Sequence, residues 1–400
     1  MTPHPETACL SRFALGACPP EERRQVVRHL LSGCSRCSAV IRDSLPAQAP
    51  PLQQLLDELN LHPRRRQIQV IRGSGAYHRP DLVRRLIELS LQSLHSDARA
   101  VRHYAQLAQE AADRLPATAS AERADLRASA RGYYGNALRI LGRLREADAV
   151  LREAEALLPQ GSGDRRLRAA LLRQRATLLS HQRRFAEAVA RVTEARQIYR
   201  DLGEKETEGL CLLKEAIYRG YAGEAETALQ LIFASMRQID RDPELARQAV
   251  QAAARFSIDV GRPDFGLALL LESSNLFEDA GRLVRLRRIW LAGELAHALG
   301  RLEAAESDLL QAGQGFARAG MPYEVALISL EVGLIYAKRG QVRELAALAA
   351  EMVPIFKALR VRRETLAALL LLESSGMEAA RSILLKAAKE LRRKSAPGFS

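Results

Sequence analysis

The sequence predicts an all-α chain built as a solenoid of helical hairpins, and three observations predict it. Turn positions recur at Gly142, Arg183, Gly223, Gly261, Gly300, Gly340 and Gly376, at steps of 41, 40, 38, 39, 40 and 36 residues. Similar phrases flank them: HQRRFAEA (181–188), AGEAETA (222–228), ALGRLEAA (298–305), KRGQVREL (338–345) and SSGMEAA (374–380). Apolar residues make up 47% of the chain but aromatics only 5%, so its core is aliphatic and Ala-rich, as closely packed helices require. A period near 40 holds two helices. One pair cannot bury its apolar face alone, and stacked neighbours supply the core.

The clearest unit is GNALRILGRLREADAVLREAEALLP, from Gly135 to Pro159. Gly135-Asn136-Ala137 places small residues on one face of a first helix, where a second can approach. Gly142 ends that helix, because only glycine takes a positive φ without strain. Glu146 and Ala147 open the second helix, Leu151 and Ala154 continue its apolar face, and Pro159 stops it.

This order of small residues, Gly-x-x-x-Glu-Ala, a large apolar residue, Ala and Pro resembles the tetratricopeptide repeat. The resemblance implies a right-handed array running over 80–394. Its period exceeds the usual repeat of about 34 residues, so helices about one turn longer are expected. From about residue 80 the chain also resembles a family of uncharacterised bacterial tetratricopeptide proteins, on phrases such as RRIWLAGELAHALGRLEAAE (287–306), YEVALISLEVGLIYAKRG (323–340) and MVPIFKALRVRRETLAALL (352–370). In that family a similar array follows a DNA-binding or zinc-finger head. The last helix, EAARSILLKAAKELRRK, ends in Arg392-Arg393-Lys394, cations suited to the negative end of the dipole, and 395–400 form a tail.

The net charge of +13 suggests nucleic acid, but the distribution argues against it. Only seven of the 60 basic residues are lysine, none before Lys205, which is the coding bias of a GC-rich genome. The charges also alternate in sign, as in READAVLREAE (145–155), the pattern of solvated helix faces. The longest apolar runs, such as LAALLLL (366–372), are too short to span a bilayer, and no signal-peptide layout is present. With five cysteines and no secretion signal, a disulfide framework is not expected, and the expected location is the cytoplasm. Cys211, inside a repeat helix, reads as a small buried hydrophobe.

Four cysteines lie in the first 37 residues, where the pattern is His29-x4-Cys34-x2-Cys37. PPEER starts a helix, with proline and acids in the first turn. Val26, Val27, Leu30 and Leu31 form its apolar side, and Gly33 ends it. His29, Cys34 and Cys37 then converge on one point, as tetrahedral zinc requires. The fourth ligand lies upstream, at His4, Cys9 or Cys18. Reduced thiols in a small helical cap are the plain alternative. The whole head, 1–46, resembles the zinc-binding anti-sigma-factor domain on its Pro-Glu-Glu-Arg, His-Leu and Cys-x2-Cys. That resemblance implies a sigma-factor partner, puts Leu10, Phe13 and Gly16 on the first helix, and makes His4 the fourth ligand with Cys9 second. The family spacing is His-x3-Cys, and Gly33 is the extra residue here.

A linker, 47–79, follows, with one short amphipathic turn, Arg64-Arg65-Arg66, and QIQVI (67–71), the one strand-like alternation. Gly73-Ser74-Gly75 lacks the lysine and spacing of a phosphate loop and reads as a joint. Helices from Asp81 and from His95 to Arg114 form an atypical first repeat. No hydrolase, Walker or dinucleotide motif occurs, and the histidines of the array are scattered singly, so an enzyme is not expected. Binding is. By the resemblance, the first helix of each pair lines a groove, and counting back from Ala147, Ala188, Ala305 and Leu345 gives Asn136, Arg139, Arg173, His181, Arg287, Glu294, His297 and Lys338. Such a set suits a peptide backbone or acidic terminus. Trp290, at the start of a repeat helix, reads as core. The expected function is a protein–protein interaction scaffold or regulator. A nucleic-acid-associated regulator using an Arg-rich face and a purely structural assembly protein are the competing readings.

Overall fold

Every repeat turn described is made by one residue in the left-handed region. The computed structural model describes residues 4–14, 16, 18–44, 50–94, 97–117, 120–239, 242–358 and 382–388. Within them Gly142, Gly223, Gly261, Gly300 and Gly340 have φ of 73–100°, and Arg183 has φ of 59°. The residue after each turn donates its N–H to the carbonyl five residues earlier: Arg143 to Leu138, Arg184 to Leu179, Glu224 to Arg219, Arg262 to Ser257, Arg301 to Ala296 and Gln341 to Tyr336, all at 2.8–3.0 Å. These bonds satisfy carbonyls left open at a helix end. At Arg183 the conformation costs roughly 1 kcal/mol, and its guanidinium stacks over the Phe185 ring at 5.2 Å. Gly376, His95, the run 366–372, Arg392, Arg393, Lys394, the tail and the 46/47 boundary lie outside the described residues.

The chain divides into two compact units, Met1–Ala119 and Ser120–Ser400. In the first, α1 (Thr7–Ala14), α2 (Pro20–Leu31) and α3 (Ser35–Ser44) enclose a small core of Leu10, Val26 and Cys37. Gly16 lies beyond α1, at φ of 72°, rather than on it. Only part of the predicted apolar side of α2 is covered. Val26 is fully buried, whereas Val27 and Leu31 are 40% and 83% exposed. Then come α4 (Leu52–Asn60), α5 (Arg64–Gly73), α6 (Pro80–Gln92) and α7 (Ala98–Asp113), with α6 packed on α7.

QIQVI is therefore helical, not strand-like. A lone strand would leave its backbone unpaired, while the helix buries Gln67 and Ile71 one turn apart. The Gln67 amide donates to His62 O at 3.0 Å, and its oxygen accepts from His103 Nε2 at 2.7 Å. The segment after it is a 3-10 turn, Gly75–Tyr77, with Tyr77 buried, and His78 Nε2 donates to Ile71 O at 2.8 Å.

Among the described residues the second unit holds six hairpins. They pair α8 (Ser120–Ile140) with α9 (Leu144–Leu157), α10 (Arg165–His181) with α11 (Phe185–Asp201), and α12 (Lys205–Tyr221) with α13 (Ala225–Ile239). They continue with α14 (Pro243–Asp259) and α15 (Pro263–Glu272), α16 (Arg282–Ala298) and α17 (Leu302–Arg318), and α18 (Pro322–Arg339) and α19 (Val342–Ala358). Residues 382–388 form one more helical stretch. Most of these helices have 17 residues, as the long period requires. The shortest is α15, with 10 residues followed by a 3-10 turn, Ser274–Phe277.

Close approach explains the small residues. At Gly135 an added Cβ would lie 2.8 Å from Leu151, and at Gly293, the same repeat position, 2.9 Å from Leu309. Ala176, Ala216 and Ala254 hold that position between them, fully buried. Adjacent hairpins share one core running from Ala169 to Phe256. Cys211 is fully buried in it, and burial pushes its thiol up to about 11, as an inert core residue. Trp290 falls in the middle of α16, not at its start, with its ring edge-on to Phe316. Among the described residues no helix is long and apolar enough to cross a membrane.

Gly220 gives a test of this packing. A Cβ there would meet the Phe256 ring at 2.3–2.5 Å, and Phe256 is only 2% exposed. Overpacking costs up to about 3 kcal/mol against a helix-propensity gain of about 1. Gly220→Ala should therefore lose about 2 kcal/mol in denaturant melts. An unchanged midpoint would mean the ring has room to move.

Candidate metal centre and binding groove

The head brings four ligand atoms together. His29 lies in the last turn of α2, buried, and Cys37 in the first turns of α3, also buried. The extra residue between His29 and Cys34 is absorbed by Gly33, at φ of 80°, whose N–H donates to Leu30 O at 2.9 Å. Cys34 precedes α3, and His4 reaches in from upstream of α1. His4 Nδ1 lies 3.2 Å from His29 Nε2, 3.3 Å from Cys37 Sγ and 3.5 Å from Cys34 Sγ. All four ligand atoms fall within 4.8 Å of one another.

Hydrogen bonding does not account for this cluster. One imidazole nitrogen offers either one proton or one lone pair, so Nδ1 cannot serve three partners. The edges of a zinc tetrahedron do account for it, at about 3.3 Å for N–N and about 3.6 Å for N–S from usual bond lengths. The residues present fit zinc as an N2S2 donor set. Backbone N–H groups, that of Cys37 first, hold the Cys34 thiol below its ordinary range, while burial raises that of Cys37. Cys34 is thus the readier thiolate. His29 Nδ1 is buried without a partner, so its ring lacks the second hydrogen bond that usually orients a metal-bound histidine.

Cys9 and Cys18 do not join this set. They face Glu22, with Cys18 Sγ 3.9 Å from Glu22 Oε2, and Arg12 donates to the same oxygen at 2.8 Å. Burial first, then Glu22, pushes the Cys9 thiol up to about 11.

In the second unit, side chains of first helices reach one repeat along. Arg139 Nη1 of α8 donates to His181 Nε2 of α10 at 2.8 Å, and Tyr218 of α12 donates to Thr177 Oγ1 of α10 at 3.3 Å. Further on, Arg255 lies 4.0 Å from Glu294, and Trp290 Nε1 donates to Glu331 at 2.8 Å. Asn136, Arg139 and His181 therefore meet directly, since Asn136 Oδ1 also accepts from Arg139 Nε at 3.0 Å. Arg173 lies near Lys214 and near Tyr199. The remaining predicted groove residues do not gather there. Glu294 faces Arg255, Arg287 and His297 are half-buried along α16, and Lys338 is exposed on α18.

The residues not predicted are Lys214 and Tyr218 of α12. With Thr177, Ser180, His181, Ile217 and Tyr221 they line a small pocket on this face. The spacing that gives the other groove positions, applied from Ala228, falls on Leu213, Ile217, Gly220 and Tyr221 and misses them. Burial, then Arg139 and Arg173, pushes the Lys214 ammonium down to about 8. Burial, then Arg139 and Lys214, pushes His181 down to about 4, so it is neutral and accepts from Arg139.

No protein-family model matches the chain, and no curated protein matches it. Solved structures do match its fold. A Rap protein complexed with competence and sporulation factor is 12% identical, with a TM-score of 0.61 over 78% of this chain and 88% of that one. The apo form of RapI is 12% identical, at 0.57 over 78% and 87%. NprR in complex with its cognate peptide NprX is 13% identical, at 0.50 over 73% and 82%. At such identities the likeness shows the fold, a tetratricopeptide-type helical array.

Two outcomes follow from the sites. Between pH 6.5 and about 4 the unfolded chain protonates His181 while the folded chain keeps it neutral, so this residue makes stability decrease as the pH is lowered through that range. His181→Gln should flatten that part of the stability–pH profile, and a profile parallel to wild type would contradict it. At the head, purified protein should carry about one zinc per chain, lost in Cys34→Ser/Cys37→Ser. Equal metal content in both would remove these ligands.

Proposed function

We propose that this chain is a non-enzymatic regulator that works by protein interaction. Its array takes a protein or peptide partner along the face of its first helices. Its head, 1–46, holds one zinc through His4, His29, Cys34 and Cys37, and engages a transcription factor of the sigma class. Residues 47–79 connect it to the array at 80–394, and the chain acts in the cytoplasm.

The observation that carries the array's role is the polar face across α8, α10 and α12. Arg139, Arg173, His181 and Lys214 gather there beside a pocket, within a fold also seen in NprR with its cognate peptide and in a Rap protein with its factor. The N2S2 cluster supports the zinc, and Val27 and Leu31, exposed one turn apart on α2, supply an apolar surface for the head's partner. Zinc would fix the loop carrying His4 and Cys34 against α2 and α3. The chemistry it supplies is structural, since a closed set of four protein ligands leaves no position for substrate.

A two-hybrid screen of the full chain against the sigma factors of its host tests the head. Binding is expected, and Leu31→Asp should reduce it by about ten-fold or more, the scale of losing a buried apolar anchor. An effect on transcription that survives deletion of residues 1–46 would sink the head's role.

A further inference from the structure

We propose that Cys9, Cys18 and Glu22 form a second metal site in the head, one that takes an exchangeable divalent ion of the zinc class. It shares no residue with the His4, His29, Cys34 and Cys37 set and does not rest on it.

The three side chains come from two elements. Cys9 lies on α1, Cys18 two residues ahead of α2, and Glu22 in the first turn of α2. Their ligand atoms all fall within 4.8 Å of one another. Both cysteines are buried, Cys18 at 3% exposure and Cys9 at 9%. Hydrogen bonding gives this arrangement little, because a thiol is a weak donor and Cys18 Sγ stands 3.9 Å from Glu22 Oε2. The separation is closer to the S–O edge of a metal site, about 3.5 Å for a tetrahedral ion and about 3.7 Å for a trigonal one from usual bond lengths.

Charge selects the ion. Two thiolates and a carboxylate carry three negative charges, and Arg12, which donates to Glu22 Oε2 at 2.8 Å, carries one positive charge. A divalent ion brings the sum to zero, with the two thiol protons released to solvent. Thiolates select a thiophilic ion over magnesium or calcium. The carboxylate has a second oxygen, so Arg12 keeps one while the ion takes the other, and Arg12 then orients the ligand from outside.

The head's architecture has a use for such an ion. Among the described residues its buried core is Leu10, Val26 and three cysteines, Cys9, Cys18 and Cys37. Domains this small need a metal or another cross-link besides their core. The four-ligand set ties the chain upstream of α1 to the end of α2 and the start of α3, but ties down neither α1 nor the first turn of α2. The second site joins those two. With three protein ligands and a fourth position open to water, it exchanges its ion, so its occupancy follows the zinc supply and stabilises α1 against α2 when zinc is plentiful.

The test is zinc content of the full-length chain after equilibrium dialysis against buffered zinc. A phosphine reductant keeps Cys9 and Cys18 from pairing as a disulfide. Content should rise from about one zinc per chain to about two at roughly micromolar free zinc, and an excess of magnesium should leave that second step in place. Glu22→Gln keeps the side chain's shape and should move the second step to zinc about ten-fold higher or more, since losing a ligand costs at least as much as losing an outer partner. Cys9→Ser/Cys18→Ser should abolish the second step and keep the first, and the retained zinc reports that the head is folded. Content that stops at one zinc and is unaffected by Glu22→Gln, or a second step reached only at millimolar zinc, would overturn this site and leave the four-ligand set standing. So would a second step unchanged in both variants. A single zinc that Cys34→Ser/Cys37→Ser keeps and Glu22→Gln weakens would uphold this site and remove the other.

Discussion

The second unit depends on one backbone constraint, a single left-handed residue at the crest of each described hairpin. The following N–H closes back onto the first helix, so the exit direction of the second is set before any side chain packs. Because that geometry repeats every 40 residues or so, the small position twelve before Ala147 and before Ala305 meets the same partner, Leu151 and Leu309, across its hairpin. Regular turns thus create regular close contacts, and these stack into a continuous core. Arg183 shows how strong the constraint is. The chain accepts a strained arginine there and keeps the turn.

Both candidate sites are places where local satisfaction fails. Over most of the array, basic side chains find acids nearby, many of them exposed pairs such as Arg184 with Glu187 that contribute little energy. In the head, one histidine nitrogen has more neighbours than hydrogen bonding can use. On the face of α8, α10 and α12, cations have fewer partners than burial requires. Excess donors call for a metal, and missing acceptors call for a partner.

How much of this was legible in the sequence follows the same physics. Glycine marks a left-handed turn directly, so the period and the hairpins could be read from it, and Arg183 was found only by spacing. The His29, Cys34 and Cys37 pattern is local and visible. The choice of His4 over Cys9 and Cys18 came only through the resemblance, because it depends on where a separate segment folds back onto α2. QIQVI misled because five alternating residues also fit a helix that buries Gln67 and Ile71. Lys214 stayed hidden because its depressed proton affinity comes from Arg139 and Arg173 on two other helices, a tertiary effect with no local signature. The turns between hairpins, at Gly203 and Gly320, were equally readable as glycine but broke no pattern.

The lone tryptophan has a consequence of its own. Trp290 sits between two hairpins, its indole N–H on Glu331 one repeat away and its ring against Phe316. Carboxylates close to an indole alter its emission, so all the tryptophan fluorescence of the protein originates at one joint of the array. A change in the spacing of α16 and α18 would be visible in the unlabelled chain as a change in colour and brightness.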